Sequence, residues 1–503
     1  MYNCFGQALG NAGRRVMAEE RRNTVPTLSS KRYLLAYIAF FGFLWSNAMR
    51  FNMSVAIVCM VKAPTSPNES SSNDTLAIAV NVDAEKCGLT NSSLHEIKDG
   101  EFDWDRKMQG YVLSSFFWGY IITQIPAGWL ADLYGSKIVF GVGMSLSSVA
   151  TILLPVAARG HVYAAIFLRF IIGLGTGVIF PAMHGLWARW APVYERTKLI
   201  AFSYAGTIVG NVFASFMSGV LCEYTGWTSI FYLIGGLSLL WCVIWFGLVF
   251  DSPEVHPRIS QIEKSFILSH TSRTNQKKDQ VIPWLSFLKS SALWAILVAH
   301  VCGSWGSYTM MTSLPTYMKD VLYFDMKQNG IFNALPYVTM FIASIGCGVF
   351  ADFMRTKFST TSVRKVLQVL GFVVPAAFLI GTGYLGCTQR MFAVTLLVIA
   401  VTFSALDRCG YLVNHVDIAP RYAGIFMGIT NTCATIAGML APITVGNITQ
   451  DRSQESWRKV FYICAVFYAF GTIIYAIFAK GEEEKWAKIE ELSDPKSTEL
   501  EPL

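Results

Sequence analysis

Between Tyr33 and Ala479 the chain repeats one feature about twelve times: an apolar run of roughly twenty residues, closed at each end by charged or turn-forming residues. At about 1.5 Å per residue such a run crosses about 30 Å of hydrocarbon. Lipid offers no hydrogen bonds to an exposed backbone, so repeated runs of this length demand helices. They lie near 33–62, 108–132, 137–157, 162–190, 199–222, 227–250, 291–319, 329–352, 364–386, 391–416, 422–447 and 457–479. The composition agrees: with 53% hydrophobic and 15% charged residues, a chain of 503 residues has too little charge to clothe a water-soluble surface. The expected fold class is an all-α membrane protein with twelve transmembrane helices and both termini on one side.

Charge orients this topology, because short cytoplasmic loops are enriched in Lys and Arg. A basic tail, residues 1–32, carries Arg14, Arg15, Arg21, Arg22, Lys31 and Arg32 and shows no cleavable signal peptide. The connection 251–290 holds Arg258, Lys264, Arg273, Lys277, Lys278 and Lys289, and the loop after the eighth run holds Arg355, Lys357, Arg364 and Lys365. All are assigned to the cytoplasm, with the tail 480–503. The net charge of +7 therefore reads as loop bias and not as a nucleic-acid surface. The segment 63–107 is acidic and Ser/Asn-rich, with glycosylation sequons at Asn68, Asn73 and Asn91, which suits an extracellular or luminal loop. The eleven cysteines form no CxxC pair or His/Cys cluster, so no metal is expected; Cys87, Cys222 and Cys387 fall near non-cytoplasmic ends, where a disulfide is permitted.

The chain also repeats itself. Gly128, Ala131, Asp132 and Lys137 recur with the same spacing as Gly348, Ala351, Asp352 and Lys357, each set closing the second run of its half. Two six-helix halves, 33–250 and 291–479, joined by the linker 251–290, explain this economically. An Asp at a helix end followed by Gly and a cation suits a gate latch, so Asp132, Lys137, Asp352 and Lys357 are candidate gating residues. The pattern resembles the signature loop of the major facilitator superfamily.

Charges inside the apolar runs are the candidate functional residues, because each is costly to bury. Arg50 lies deep in the first run, more than two helical turns from the outer interface, and its guanidinium fork suits a carboxylate or phosphate. Arg169 precedes Gly173, Gly175 and Gly177, which permit close helix approach; coupling and structural roles both fit it. His184 is a candidate proton relay or an ordinary core histidine, and His415 shares that ambiguity. Asp407 and Arg408 are adjacent within the tenth run, about 100° apart on a helix, so each has its own partner or both mark the transport path.

The segments Ser115 to Pro126, Pro181 to His184, Trp190-Ala-Pro192 with Glu195 and Arg196, Ser203 to Gly206 and Asn414 to Pro420 resemble a known group. It is the solute carrier family of anion transporters that contains sialin, the vesicular glutamate transporters and sodium/phosphate-cotransporter-like proteins. The resemblance runs from about Tyr33 to Gly481. It implies the major facilitator fold and alternating-access transport of small organic anions, with Arg50 as the anion-binding arginine and Tyr120, Tyr204 and Tyr308 lining the cavity. It implies no cofactor beyond a transported H⁺ or Na⁺, a monomer in the bilayer, and a lysosomal, vesicular or plasma membrane. Two departures bear on coupling: Ile172 and Thr176 stand where sialin has fourth-helix glutamates, and Leu113 stands where the vesicular glutamate transporters have a histidine. No nucleophile–base set or phosphate loop points to an enzyme. The rivals to organic-anion transport are inorganic phosphate cotransport and a receptor derived from the transporter fold.

Overall fold

In the computed structural model, residues 30–62, 100–124, 126–192, 195–270, 284–419 and 422–487 are described. Among them β pairing is confined to a single bridge between Val61 and Phe102, and the rest is helix and short connections. In chain order the helices are α1 (Lys31–Met60), α2 (Arg106–Gln124), α3 (Pro126–Tyr134), α4 (Ser136–Gly160), α5 (Val162–Gly177), α6 (Ile179–Trp190), α7 (Arg196–Tyr224) and α8 (Thr228–Leu248). After these come the linker helices α9 (Gln261–His270) and α10 (Trp284–Lys289), then α11 (Ser291–Asp320), α12 (Met326–Arg355), α13 (Thr360–Gly383) and α14 (Arg390–Phe403). A π turn, Arg408–Leu412, and α15 (Val413–Ile418) complete the tenth span, followed by α16 (Ala423–Ile448) and α17 (Gln454–Phe478).

Ten of these spans are long and apolar enough to cross a bilayer. The two that complete twelve, α2 with α3 and α11, are long enough but more polar: α11 carries His300, Ser304, Ser307, Thr309, Thr312, Ser313 and Thr316. A span lined with hydroxyls faces other helices or a cavity rather than lipid.

Two buried clusters organise the packing, one built on residues 33–267 and the other on residues 287–487. Glycine permits the tightest crossing in the first: a Cβ at Gly119 would lie 2.0 Å from the Phe170 carbonyl oxygen, and one at Gly173 would lie 1.9 Å from that of Phe116. At one face, here the terminal face, the start of α1 meets the linker. Arg32, read from sequence as tail, is fully buried between Glu195 at 2.7 Å and Glu263 at 3.4 Å. Residues 481–487 dock there too, with Gly481 N–H donating to Thr361 Oγ1 and the Trp486 ring against Phe287.

The opposite, far face is where the two clusters lock together. Arg106 pairs with Asp320 across the halves, both nearly buried, and Lys319 Nζ donates to the Val58 carbonyl at 2.7 Å. Below this, Ser114 donates to the Met439 carbonyl, Asn333 donates to Ser215, and Gly219 abuts Gly330. Toward the terminal face the last described hydrogen bond between α2 and α16 is Thr432 to Gln124, at 3.3 Å. Among the described residues hydrogen bonds and an ion pair join the halves at the far face and none joins them at the terminal face, so in these residues the halves are sealed at the former and parted at the latter. The Cys59–Cys222 disulfide joins α1 to α7 near the far face, and Cys387 is also disulfide-bonded. Cys59 was not among the cysteines expected to pair, because its position inside the first apolar run reads as packing. Asn68, Asn73, Asn91 and Cys87 lie outside the described residues.

Candidate anion site

Arg50 projects from α1 into a cage of aromatic rings. Its guanidinium carbon lies 4.9 to 5.2 Å from the ring centres of Phe51, Phe116, Phe117, Tyr120 and Tyr308. The rings offer their electron-rich faces to the cation, which attracts it. They do not satisfy five N–H donors, and Nε and Nη2 are sealed from solvent without a hydrogen-bond partner. No acidic side chain pairs with Arg50 among the described residues. A desolvated donor left unmade costs about 1–3 kcal/mol, more when charged, so the site favours an anion that supplies two acceptors.

Arg169 supports this cage from behind. It is 2% exposed, and its two terminal nitrogens donate to the carbonyls of Met49 at 3.2 Å and Arg50 at 3.1 Å. Those bonds fix the backbone that carries Arg50 and leave Arg169 little surface for a ligand. Arg169 Nε is sealed without a partner. Two arginines without a nearby carboxylate also make the interior of this half electropositive.

Of the three tyrosines, Tyr120 and Tyr308 belong to the cage and Tyr204 does not. The Tyr204 ring packs against Phe43, Phe180 and His184 at 4.6, 5.2 and 5.5 Å, and its hydroxyl is sealed without a partner. His184 itself is exposed at the parted side of the halves. Ile172 and Leu113 are buried, and Thr176 donates back to the Ile172 carbonyl at 2.8 Å, as threonine commonly does within a helix.

The tenth span is broken between Phe403 and Arg408. The π turn shifts the backbone register, and span nine supplies the partners it needs: Gln368 Oε1 accepts Tyr411 N–H at 2.9 Å, and Arg364 donates to the Cys409 carbonyl at 2.8 Å while pairing with Asp417 at 2.7 Å. Asp407 is buried and forms no ion pair with Arg408 or any other described cation; Arg408 Nε is sealed and unpartnered. Close by, His300, which sequence reasoning passed over, shares the Thr430 hydroxyl with His415, at 3.1 and 2.9 Å. His415 Nδ1 lies 3.0 Å from the Leu412 carbonyl, an acceptor, so that nitrogen carries a hydrogen. With both rings neutral, Thr430 donates to His415 Nε2 and accepts from His300 Nδ1, a continuous hydrogen-bonded chain. A lone histidine in an apolar run gives no sign of such a partner.

The gating candidates sit apart at the terminal face. Asp132 is exposed and unpaired among the described residues. Instead Asp251 caps α4: its carboxylate accepts the Lys137 backbone N–H at 2.9 Å and lies 4.0 Å from Arg189, while the Lys137 ammonium sits 4.6 Å from the Phe250 ring. Gly135 at φ 89° allows this approach, since a Cβ there would be 2.7 Å from Asp251. In the second half Lys357 lies over the Phe353 ring at 4.8 Å, and the side chain of Asp352 lies outside those described. An unpaired Asp132 fits halves that are parted at this face.

Twelve spans around a buried, anion-seeking arginine, sealed at one face only, define a membrane transporter. Residues 87–442 match the family described as Major Facilitator Superfamily. Sialin of Homo sapiens is 43% identical over 472 residues, covering 93% of each chain, and vesicular glutamate transporter 2 of Homo sapiens is 39% identical over 473 residues, covering 93% of this chain and 77% of that one. The fold is shared with a bacterial homologue of the lysosomal transporter Spinster in an inward-facing, unoccupied conformation (TM-score 0.65, 12% identity, 89% of this chain and 97% of that one). It is shared likewise with a D-xylose–proton symporter (TM-score 0.61, 16% identity, 89% and 98%). The chain therefore belongs to the major facilitator superfamily and, within it, to the solute carrier family that contains sialin and the vesicular glutamate transporters.

Proposed function

We propose that this protein is a secondary transporter of small organic anions, such as sialic acid, acidic amino acids or related carboxylates, working by alternating access. The observation that carries the reading is Arg50: a guanidinium at mid-span, caged by aromatic rings and short of acceptors, waits for a carboxylate. Tyr308 reaches Arg50 from the second half, so the cage spans both moving parts, as a site at the axis of rocking requires. Sealing at the far face and parting at the terminal face is one of the two end states of that cycle. On this reading the terminal face is cytoplasmic, the far face is luminal or extracellular, and the working unit is a monomer in a lysosomal, vesicular or plasma membrane.

For coupling we favour H⁺ over Na⁺. The titratable groups Asp407, His300 and His415 are buried in the second half, where a transferred proton has acceptors. The test is uptake of labelled sialic acid, glutamate, aspartate and phosphate into proteoliposomes under imposed H⁺ or Na⁺ gradients. Uptake of a carboxylate that collapses with the pH gradient supports the reading. Phosphate uptake alone would point to inorganic anion cotransport, and ligand binding without flux would point to a receptor.

A further inference from the structure

The break in span ten opens onto a second cavity, in the C-terminal half, that the Arg50 cage does not use. It is lined by Arg408, Tyr337, Ser307, Met310, Met340 and Tyr468. Three donor side chains line it, none with a described hydrogen-bond partner. The Arg408 side chain makes no hydrogen bond or ion pair among the described residues, and its Nε is sealed. Tyr337 is 4% exposed, with its hydroxyl sealed and unpartnered, and Ser307 has no described hydrogen-bond partner. The neighbouring Asp407 makes no direct ion pair with Arg408 among the described residues: its Oδ2 lies on the α11 side, 3.5 Å from where a Cβ on Gly303 would stand. The arginine is held in place because span nine pins the π turn through Gln368 and Arg364. The methionine walls suit an aliphatic body next to the charged group and give a hydrated cation nothing to bind.

We propose that Arg408, with the hydroxyls of Tyr337 and Ser307, forms a second carboxylate-binding pocket. Its occupant is either the distal acid group of the transported substrate or a separate small monocarboxylate. The first source rests on the proposed transport function; the second does not. Helix α11 connects the two sites, since Ser307 lines this pocket while the adjacent Tyr308 stacks on Arg50.

The test measures binding of succinate and of propionate to the purified full-length protein in lipid nanodiscs, by calorimetry and thermal stabilisation, so it does not depend on flux. The variants are Arg408→Gln, Tyr337→Phe, Arg50→Ala and the double variant Asp407→Asn with Arg408→Gln. If the pocket takes the substrate's distal group, Arg408→Gln weakens succinate about tenfold or more and leaves propionate nearly unchanged. If it is a separate site, propionate stabilisation survives Arg50→Ala and disappears in Arg408→Gln. In either case Tyr337→Phe, which removes one hydroxyl from a folded protein, weakens the same ligand by a few-fold. Affinities within twofold of wild type in both Arg408→Gln and Tyr337→Phe would overturn the proposal. So would a melting-temperature loss in Arg408→Gln that the double variant restores with no change in any affinity, because Arg408 would then serve only to balance Asp407. Succinate and propionate binding that both survive Arg50→Ala and both fall in Arg408→Gln count against the Arg50 reading and not against this one.

Discussion

Asp320→Asn should tip the transporter away from the end state seen here. Asp320 accepts from Arg106 across the halves and from Trp457 Nε1 at 3.3 Å within its own half, and the Arg106 and Asp320 side chains are only 9% and 4% exposed. Removing one partner of a buried pair costs about 3–5 kcal/mol. The pair lies near the rim, the isosteric amide retains a weaker hydrogen bond, and the parted state rehydrates Arg106, so a bias of about 2–3 kcal/mol is the better figure. That corresponds to about a 30- to 150-fold shift toward opening at the far face. Hydrogen-exchange mass spectrometry in nanodiscs reads this directly, on peptides covering the start of α2 and the end of α16, where Gly110 and Gly446 seat against the opposing backbone. Exchange there should accelerate in Asp320→Asn and return in the charge-swapped pair Arg106→Asp with Asp320→Arg, while α8 peptides stay unchanged. Exchange at the far face within twofold of wild type would refute the argument that this pair holds the seal.

Gly119→Ala should abolish folded protein, because its Cβ would strike the Phe170 carbonyl at 2.0 Å, whereas Gly236→Ala, with nothing within 4 Å, should fold normally; fluorescence-detected chromatography distinguishes them. Arg364→Ala should lower the melting temperature strongly, by the 3–5 kcal/mol expected for an orphaned Asp417 plus the lost bond to the Cys409 carbonyl, and the double variant with Asp417→Ala should recover part of it; equal losses in both would deny the pairing. Deglycosylation of protein from mammalian cells should sharpen and shift its band, and replacing Asn68, Asn73 and Asn91 together with Gln should remove the shift; an unchanged band in the wild type would count against a luminal or extracellular far face.

The helices were legible because a bilayer leaves an apolar run one structural solution, and most observed spans end within a few residues of the apolar runs. Polar α11 was legible too, because His300 and its hydroxyls are diluted among apolar residues over thirty positions. What sequence could not show depends on partners far along the chain. The break at Ser404 and the π turn after it exist because Gln368 and Arg364, on another span, take up the freed backbone groups. The repeat marks Asp132 as a latch candidate, but it gives no sign of Asp251, over a hundred residues away, whose carboxylate caps α4. Nothing in the sequence pairs Arg106 with Asp320, and only their meeting across the halves makes them a seal. Arg50 stood out because an arginine ten residues from the end of a thirty-residue apolar helix has no cheap explanation; of its ring of aromatics, drawn from three helices, the resemblance implied Tyr120 and Tyr308 but gave no sign of Phe51, Phe116 and Phe117.

The most direct test of the central claim is carboxylate uptake by Arg50→Ala and Arg50→Lys in proteoliposomes, with folding verified by melting temperature and monodispersity. Uptake abolished in Arg50→Ala and reduced at least about tenfold in Arg50→Lys, with both proteins folded, is the predicted result, since a lysine brings the charge without the bidentate fork. Wild-type uptake by a folded Arg50→Ala protein would contradict the account.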